Sequence, residues 1–542
     1  MQKKYSFEQN IFLWYKFNYN SNLLEINSKN GVITDLLKDK VKKITCCDIK
    51  KDKFNINANN IEKKNNFLNA KLKEKFDYIV INYLDEYINN NKMDIKKIFN
   101  KIVKLLNDDG IILFTVKNKY SLKNICGDLQ DDNIFYSNKK YKIYSKVELE
   151  ILFNKYGLNY KFYYPFPNSK TTEVLLTDSY LNKCSSITYL PLHLSNKNFL
   201  MDEYELFKKT LKDKTLPFFS NDFLVELSYN KIKTKLSFIK FNNYRKLQYN
   251  LYTYCIGNKY YKKNISDKGE EFLKKYKESC NELNKIEIKS IQIKEDREGI
   301  YTDEVTNSSF LDKIIDDFNK NGEKTLEKNL IVYNDYLKKH LLKDEIVEND
   351  NLIFKKYNID ITKEKINKLH FIEKAYIDII PQNMLMSKKE YYLIDQEWYM
   401  KNVPYEYILY RGILSVLSHF DDMDIRMKKF FDLFNITEFF SEFQLLELNF
   451  YNDLESNEYQ KIKTYHKYNI INTSEILKNG DFHEKMIEDK INEINMLKVD
   501  NRILNKENEE LNKLLNEVLN SKSWKLTKPI RKITEIMKII KK

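Results

Sequence analysis

At 542 residues the chain is longer than one hydrophobic core can organise, and roughly two to four domains are expected. Hydrophobic residues at 42% and aromatic residues at 14% are ample for real cores. Of the net charge of +14, the stretch Ser521–Lys542 alone carries +7, with eight Lys and Arg against one Glu. That leaves a body too mildly basic for a nucleic-acid-binding surface, and a tail suited to an anionic one.

No amino-terminal stretch has the apolar segment and small-residue site of a signal peptide, and no apolar run approaches the roughly 20 residues that span a bilayer. Cys46, Cys47, Cys126, Cys184, Cys255 and Cys280 are scattered without a CxxC pair, as reduced buried thiols of a cytosolic protein are. With only 10 Gly and 7 Pro amid heavy Lys, Asn, Ile and Tyr usage, an absent glycine carries less meaning than usual.

Residues from about 20 to 185 alternate short apolar strands with helical stretches, the pattern of an α/β domain. Candidate strands are "NLLEI", "KITCCDI", "FDYIVI" and "GIILFTV". The order resembles class I S-adenosylmethionine-dependent methyltransferases, a Rossmann-like fold. There the first strand ends in an E-x-G-x-G-x-G-like turn beneath the cofactor's methionine, and the second strand's acid takes the ribose hydroxyls. The matching positions are Glu25, Asn27, Lys29 and Gly31 for the turn and Asp48 for the ribose, with Gly110 in a late turn. Asn27 can hold a left-handed backbone, whereas Lys29 puts a Cβ and a long stem where the cofactor approaches. The domain either binds S-adenosylmethionine or persists as a platform.

A second region, about 205 to 470, begins strand-rich and ends helix-rich. Within "IDIIPQNMLMSKKEYYLIDQEW", Asp378 and Asn383 have the spacing of the D-x-x-x-x-N loop of phosphoryl-transfer enzymes, and Asp395 follows the next apolar strand. Such chemistry needs a carboxylate to orient or deprotonate the attacking hydroxyl, and oxygen ligands for Mg²⁺ against the nucleotide phosphates. A carboxylate inside "YYLIDQEW" is costly unless an ion compensates it. The pattern resembles aminoglycoside phosphotransferases and choline kinases, with Tyr376 where that family has His. Upstream, residues 252–283 read as strand, turn, strand and amphipathic helix. Lys262, or else Lys263, would contact ATP phosphates, with Glu270 or Glu271 as its helix partner. Residues 300–314 would form the hinge against adenine.

From about 484 the pattern is helical. Leu497, Leu504, Leu511 and Val518 recur every seven residues, and Ile487, Ile494, Asn501, Asn508 and Leu515 supply the companion positions. This is a coiled-coil seam, and Asn at such positions sets register and oligomer state. The tail after it mixes Trp524, Leu526, Ile530, Ile533, Met537 and Ile540 with basic residues, as an anionic membrane interface requires.

The whole succession resembles the bifunctional methyltransferase–kinases that terminate polysaccharide chains in O-antigen synthesis. That resemblance also includes residues 144–168 and the "EYILYRGI" after Trp398. It implies a methyltransferase domain over residues 1–200, an α+β bilobal kinase-like domain over 201–475, a coiled coil over 484–520 and a basic tail over 521–542. It further implies S-adenosylmethionine, ATP and Mg²⁺ as cofactors, a glycan acceptor, and a membrane-associated glycosyltransferase as partner. The expected place is the inner face of the cell membrane, reached peripherally. Asp378 would be catalytic, and Asn383 and Asp395 would hold the metal. A kinase with a methyltransferase relic and a non-catalytic tethered scaffold are the alternatives.

Overall fold

A computed structural model describes residues 5–127, 141–183, 198–285, 288–305, 308–342, 352–387, 390–420, 422–456, 469–470 and 482–520. They divide into two compact units, Met1–Asn469 and Ile470–Lys542.

After short helical turns over Phe7–Gln9 and Asn10–Leu13, the first unit includes β1 (Asn22–Ile26), α1 (Val32–Leu37), β2 (Lys43–Cys46), β3 (Ile61–Lys63), β4 (Phe76–Ile81), α2 (Leu84–Asn90), a further helix over Ile95–Leu105 and β5 (Leu106–Lys117). All four candidate strands are present. The pairs β3–β2, β2–β1, β1–β4 and β4–β5 are parallel. Leu23, Leu24 and Ile26 of β1 and Ile79, Val80 and Ile81 of β4 are buried on both faces, as strands covered by helices on each side must be. The order reverses direction between β1 and β4, which opens a crevice beyond their carboxyl ends. Gly110, expected in a turn, instead lies within β5, where the pairing with β4 slips between Phe76 and Tyr78.

β6 (Asn159–Phe166), β7 (Val174–Thr177) and β8 (Asp222–Ser228) complete this part. β8 runs antiparallel between β5 and β6, pairing from Ile111↔Ser228 to Lys117↔Asp222. It lies beyond residue 200, where the first domain was expected to end. Without β8, β5 and β6 would each keep an open edge inside the core.

The strand-rich start of the second region does not form a sheet of its own. β9 (Leu236–Phe241) pairs antiparallel with β7 in the register Ile239↔Leu175. β10 (Leu251–Ile256), β11 (Lys259–Asn264), the helix α3 (Glu270–Lys285), β12 (Lys294–Asp296) and β13 (Gly299–Asp303) follow. The result is a single 13-stranded sheet, β12-β13-β11-β10-β9-β7-β6-β8-β5-β4-β1-β2-β3. One apolar cluster runs beneath both parts, from Ile11, Leu23 and Ile44 to Ile239, Tyr252 and Tyr261.

The rest of the unit is mainly helical: α4 (Phe310–Asn321), α5 (Glu323–Leu341), β14 (Phe371–Tyr376), the hairpin β15 (Met384–Ser387) and β16 (Glu390–Leu393), β17 (Tyr399–Pro404), α6 (Tyr405–Leu417) and α7 (Phe440–Leu454). These elements share a core that includes Leu330, Tyr333, Ile377, Ile379, Ile408, Ile413 and Phe443.

In the second unit, α8 (Phe482–Asn520) is a continuous helix about 58 Å long. Leu497, Leu504 and Leu511 are more than half exposed along it. The basic tail 521–542 and Cys184 lie outside the described residues; the other five cysteines are free and buried. Among the described residues no helix is long and apolar enough to cross a membrane.

Candidate functional sites

The turn after β1 keeps the backbone that glycines would give it. Asn27, Lys29 and Gly31 have φ of 61°, 47° and 83°. Asn27 is held by its Nδ2, which donates to the Asn82 carbonyl at 2.5 Å. Only glycine suits position 31, because an added Cβ would lie 2.8 Å from Ile56 Cγ1. Lys29 turns its ammonium to Glu86 of α2 and over the Tyr83 ring, 4.6 Å from its centroid. Lys170 reaches the same carboxylate at 2.7 Å. The Ser28 and Lys29 amides donate to the carbonyls of Cys47 (3.0 Å) and Asp48 (3.3 Å), and the Lys50 amide donates to that of Lys29. The turn is thereby fastened to the end of β2.

Glu25 does not reach the crevice, contrary to its expected cofactor role. It is fully buried and accepts from Asn82 Nδ2 at 2.7 Å and Thr34 Oγ1 at 2.5 Å, and burial pushes its pKa up. The carboxylate ties β1, α1 and the end of β4 together. Asp48 does stand at the end of β2, with a φ of 59°. Its Oδ1 accepts the Phe67 amide at 3.2 Å, while the buried Oδ2 makes no hydrogen bond of ordinary geometry, with the Tyr87 hydroxyl and the Asn27 amide as the polar groups close to the carboxylate. A spare carboxylate oxygen there fits a ribose hydroxyl, and the left-handed turn fits the methionine end of S-adenosylmethionine, which would supply the electrophilic methyl group.

The second site is a cavity of about 360 Å³ between β9–β11, β13 and the β15–β16 hairpin. Ile291, Ile293, Ile300, Leu385 and Ile394 give it apolar walls, and the chain after β13, through Glu304 and Val305, forms its rim. Lys240, Lys262 and Asp395 supply its charge. Successive residues of a strand face opposite ways, which separates the two rival lysines: Lys262 lines this cavity, and Lys263 lines a different one.

Lys262 bonds Asp395 Oδ1 at 2.8 Å and also pairs with Glu397. Arg245 Nη1 meets the other Glu397 oxygen at 2.5 Å. Burial alone would favour neutral forms, but the opposed charges keep Glu397 ionised and Lys262 protonated. Glu270 and Glu271 take no part in this pairing, contrary to expectation. Both are exposed, and Glu271 pairs with Lys275 one turn along α3. The α3 residue that faces Lys262 is Tyr276, its ring centroid 4.7 Å away. The expectation of a compensated carboxylate within "YYLIDQEW" also needs correction. Asp395 is 54% exposed, and the buried acid is Glu397, neutralised by cations of the chain itself.

Asp378 and Asn383 are brought together with the end of β16. The Asp378 carbonyl accepts from Asn383 Nδ2 (3.1 Å) and Gln396 Nε2 (2.9 Å), and the Ile394 amide donates to the Asn383 carbonyl. Asp378 Oδ1 accepts from Arg411 Nη2 at 3.0 Å. Burial raises this carboxyl to about 6, against the pull of Arg411. Tyr333 donates to the Ile379 carbonyl at 2.8 Å, and Arg411 Nε donates to that of Ile377. Tyr376, in the place of the family's His, donates to Glu282 of α3. Glu397, Arg245, Arg411 and Tyr333 are functional candidates that sequence reasoning missed. Glu397 lay in view two residues after Asp395, and Arg411 lay within "YRGI".

Among the described residues no three His, Cys, Asp or Glu side chains gather as a metal-binding group. Asn383 and Asp395 each carry an oxygen of the kind Mg²⁺ prefers; of the two, Asp395 lines the cavity, where it is paired with Lys262.

Residues 4–161 match the family described as "Methyltransferase domain". The amino-terminal part of the chain is a Rossmann-like class I methyltransferase domain, set in a large mixed sheet. The match supports a transferase, specifically a methyltransferase. Solved structures similar to this chain include the N-methyltransferase NodS from Bradyrhizobium japonicum, at 21% identity over 21% of this chain and 67% of that one, with a TM-score of 0.19. The YcgJ protein of Bacillus subtilis (12%, covering 41% and 99%, TM-score 0.25) and an rRNA methylase of Streptococcus thermophilus (14%, covering 42% and 98%, TM-score 0.23) are others. A comparison with curated proteins gives no match.

Proposed function

We propose that this protein phosphorylates, and then methylates, the non-reducing end of a bacterial surface polysaccharide, and so ends its growth. The observation that carries the phosphoryl-transfer half is the convergence of Lys262 and Asp395 on one cavity, with Asp378 and Asn383 tied to the same strand end. ATP with Mg²⁺ would supply the electrophilic phosphoryl group, held by Asn383 and Asp395. Lys262 steadies phosphate oxygens. Asp378, with its carboxyl raised to about 6, is charged at neutral pH yet basic enough to orient a sugar hydroxyl and take its proton. The long helix α8 self-associates through its exposed seam, and the basic tail meets an anionic membrane beside a glycosyltransferase. The test is radiolabelled ATP with Mg²⁺ against a panel of oligosaccharides. Phosphate incorporation should be lost in Asp378→Ala and Asp395→Ala, and incorporation that survives both changes refutes the assignment.

A second reading keeps the kinase alone beside a relic methyltransferase site. The fastening of Ser28 and Lys29 to β2, and the Lys29 ammonium drawn to Glu86, favour it. Calorimetry with S-adenosylmethionine separates the two readings: heat on titration supports methyl transfer, and none at millimolar ligand retires it. In the relic case, Lys29→Gly restores binding.

A further inference from the structure

Lys240 lines the phosphoryl-transfer cavity together with Lys262 and Asp395. Its place follows from strand register. In β9, Lys240 stands directly opposite Thr253 of β10; Thr253 stands opposite Lys262 of β11, and Lys262 opposite Ile300 of β13. Residues paired in this way point to the same face of a sheet, and all four line the one cavity. They form a row across four strands, apolar at Ile300, cationic at Lys262, hydroxylic at Thr253 and cationic again at Lys240. Neighbouring strands lie about 4.8 Å apart, so the two lysines rise from backbone positions about 10 Å apart.

The row has a direction. The chain after β13, through Glu304 and Val305, rims the cavity at the Ile300 end, where Ile293 packs with Ile300. A flat, largely apolar base suits that end. Lys262, tied to Asp395 and Glu397, comes next, and Lys240 lies two strands further from the rim. A ligand laid along the row with its apolar end at Ile300 carries its anionic end to Lys240. The fields of Asp395, Arg245, Lys262 and Glu397 all reach Lys240, so its ammonium belongs to the same charged cluster. Lys240 in turn acts on Glu173, the residue before β7, which makes a structural ion pair with Glu173 the rival role.

We propose that Lys240 contacts the terminal phosphate of a nucleoside triphosphate and so distinguishes it from the diphosphate. The inference rests on the phosphoryl-transfer reading above. An ammonium is a compact charge with three donors, suited to phosphate oxygens. Bonds of this charged kind are roughly twice as strong as neutral ones. A diphosphate laid along the same row reaches Lys262 and ends before Lys240. The spent nucleotide is therefore held less firmly than the triphosphate.

The experiment is calorimetric titration of the full chain, with Mg²⁺ present, against the imido analogue of ATP and against ADP. The wild type should bind the analogue more tightly. Lys240→Met keeps a long stem over the sheet; it should weaken the analogue by about tenfold and leave ADP within about twofold. Lys240→Arg should retain most of the preference. Glu173→Gln should retain it too, which separates phosphate recognition from an ion pair between the two residues. Thermal melting checks the fold of each variant, and Lys240→Gln replaces Lys240→Met if the latter is unfolded. Equal weakening of both nucleotides, weakening of neither, or loss of the preference in Glu173→Gln would overturn the proposal. Radiolabelled phosphate transfer by the wild type is followed in parallel. Transfer that persists alongside any of those results refutes the role of Lys240 alone, whereas a wild type that neither binds nucleotide nor transfers phosphate refutes both readings.

Discussion

Removing the charge of Glu397 should cost stability that removing Glu270 or Glu271 does not. The Glu397 side chain is 4% exposed, between Arg245 at 9% and Lys262 at 12%. Glu397→Gln keeps the shape and leaves two buried cations short of a carboxylate. Deleting one partner of a buried pair costs about 3–5 kcal/mol. The lower end applies here, because Lys262 retains Asp395 and Arg245 Nε still meets the Tyr244 hydroxyl at 2.9 Å. With a urea slope of about 3 kcal/mol/M, a loss of about 3 kcal/mol lowers the unfolding midpoint by about 1 M. Trp398, whose ring lies 5.1 Å from the Arg245 guanidinium carbon, provides the fluorescence signal. Glu270→Gln and Glu271→Gln should leave the midpoint unchanged. If Glu397→Gln unfolds with the wild type while either helix variant unfolds early, the lysine's partner lies on α3 and the reasoning fails.

Three further outcomes follow from the same geometry. Burial raises the Asp378 carboxyl to about 6, above the roughly 3.9 of an unfolded chain, so the folded protein binds the extra proton and stability falls by about 3 kcal/mol as pH rises from 4 past 6. Asp378→Asn should lose that dependence and be more stable than wild type at pH 8 while losing phosphoryl transfer; a less stable variant at pH 8 would mean that the Arg411 pair outweighs burial. Gly412→Ala would place a Cβ 2.0 Å from the Tyr333 hydroxyl and displace the ring that holds the Ile379 carbonyl. A loss of about 2–3 kcal/mol in thermal unfolding is expected, and an unchanged melting point would show that the ring moves freely. Sedimentation equilibrium should give a multiple of the chain mass for the wild type and the single-chain mass for Leu504→Glu combined with Leu511→Glu; equal masses would exclude the α8 seam as the contact.

Local pattern was enough to reveal much of this molecule. The short run "YIVI" within "FDYIVI", rich in β-branched residues, marks a strand whose successive residues are buried on both faces. The seven-residue recurrence from Leu497 to Val518 lies on one continuous helix. The loop that carries Asp378 and Asn383 meets the end of β16 because the two are close in sequence and joined by one hairpin.

What lay beyond the sequence was every pairing between distant segments. That Glu397 rather than Glu270 or Glu271 answers Lys262 depends on β11 and the end of β16 meeting across 135 residues of chain. That β8 joins β5 to β6, and that β9 pairs with β7, depends on which strand edges meet in the folded chain. Backbone hydrogen bonds between strands carry no side-chain signature, so edges and partners are decided only when the whole chain competes for them.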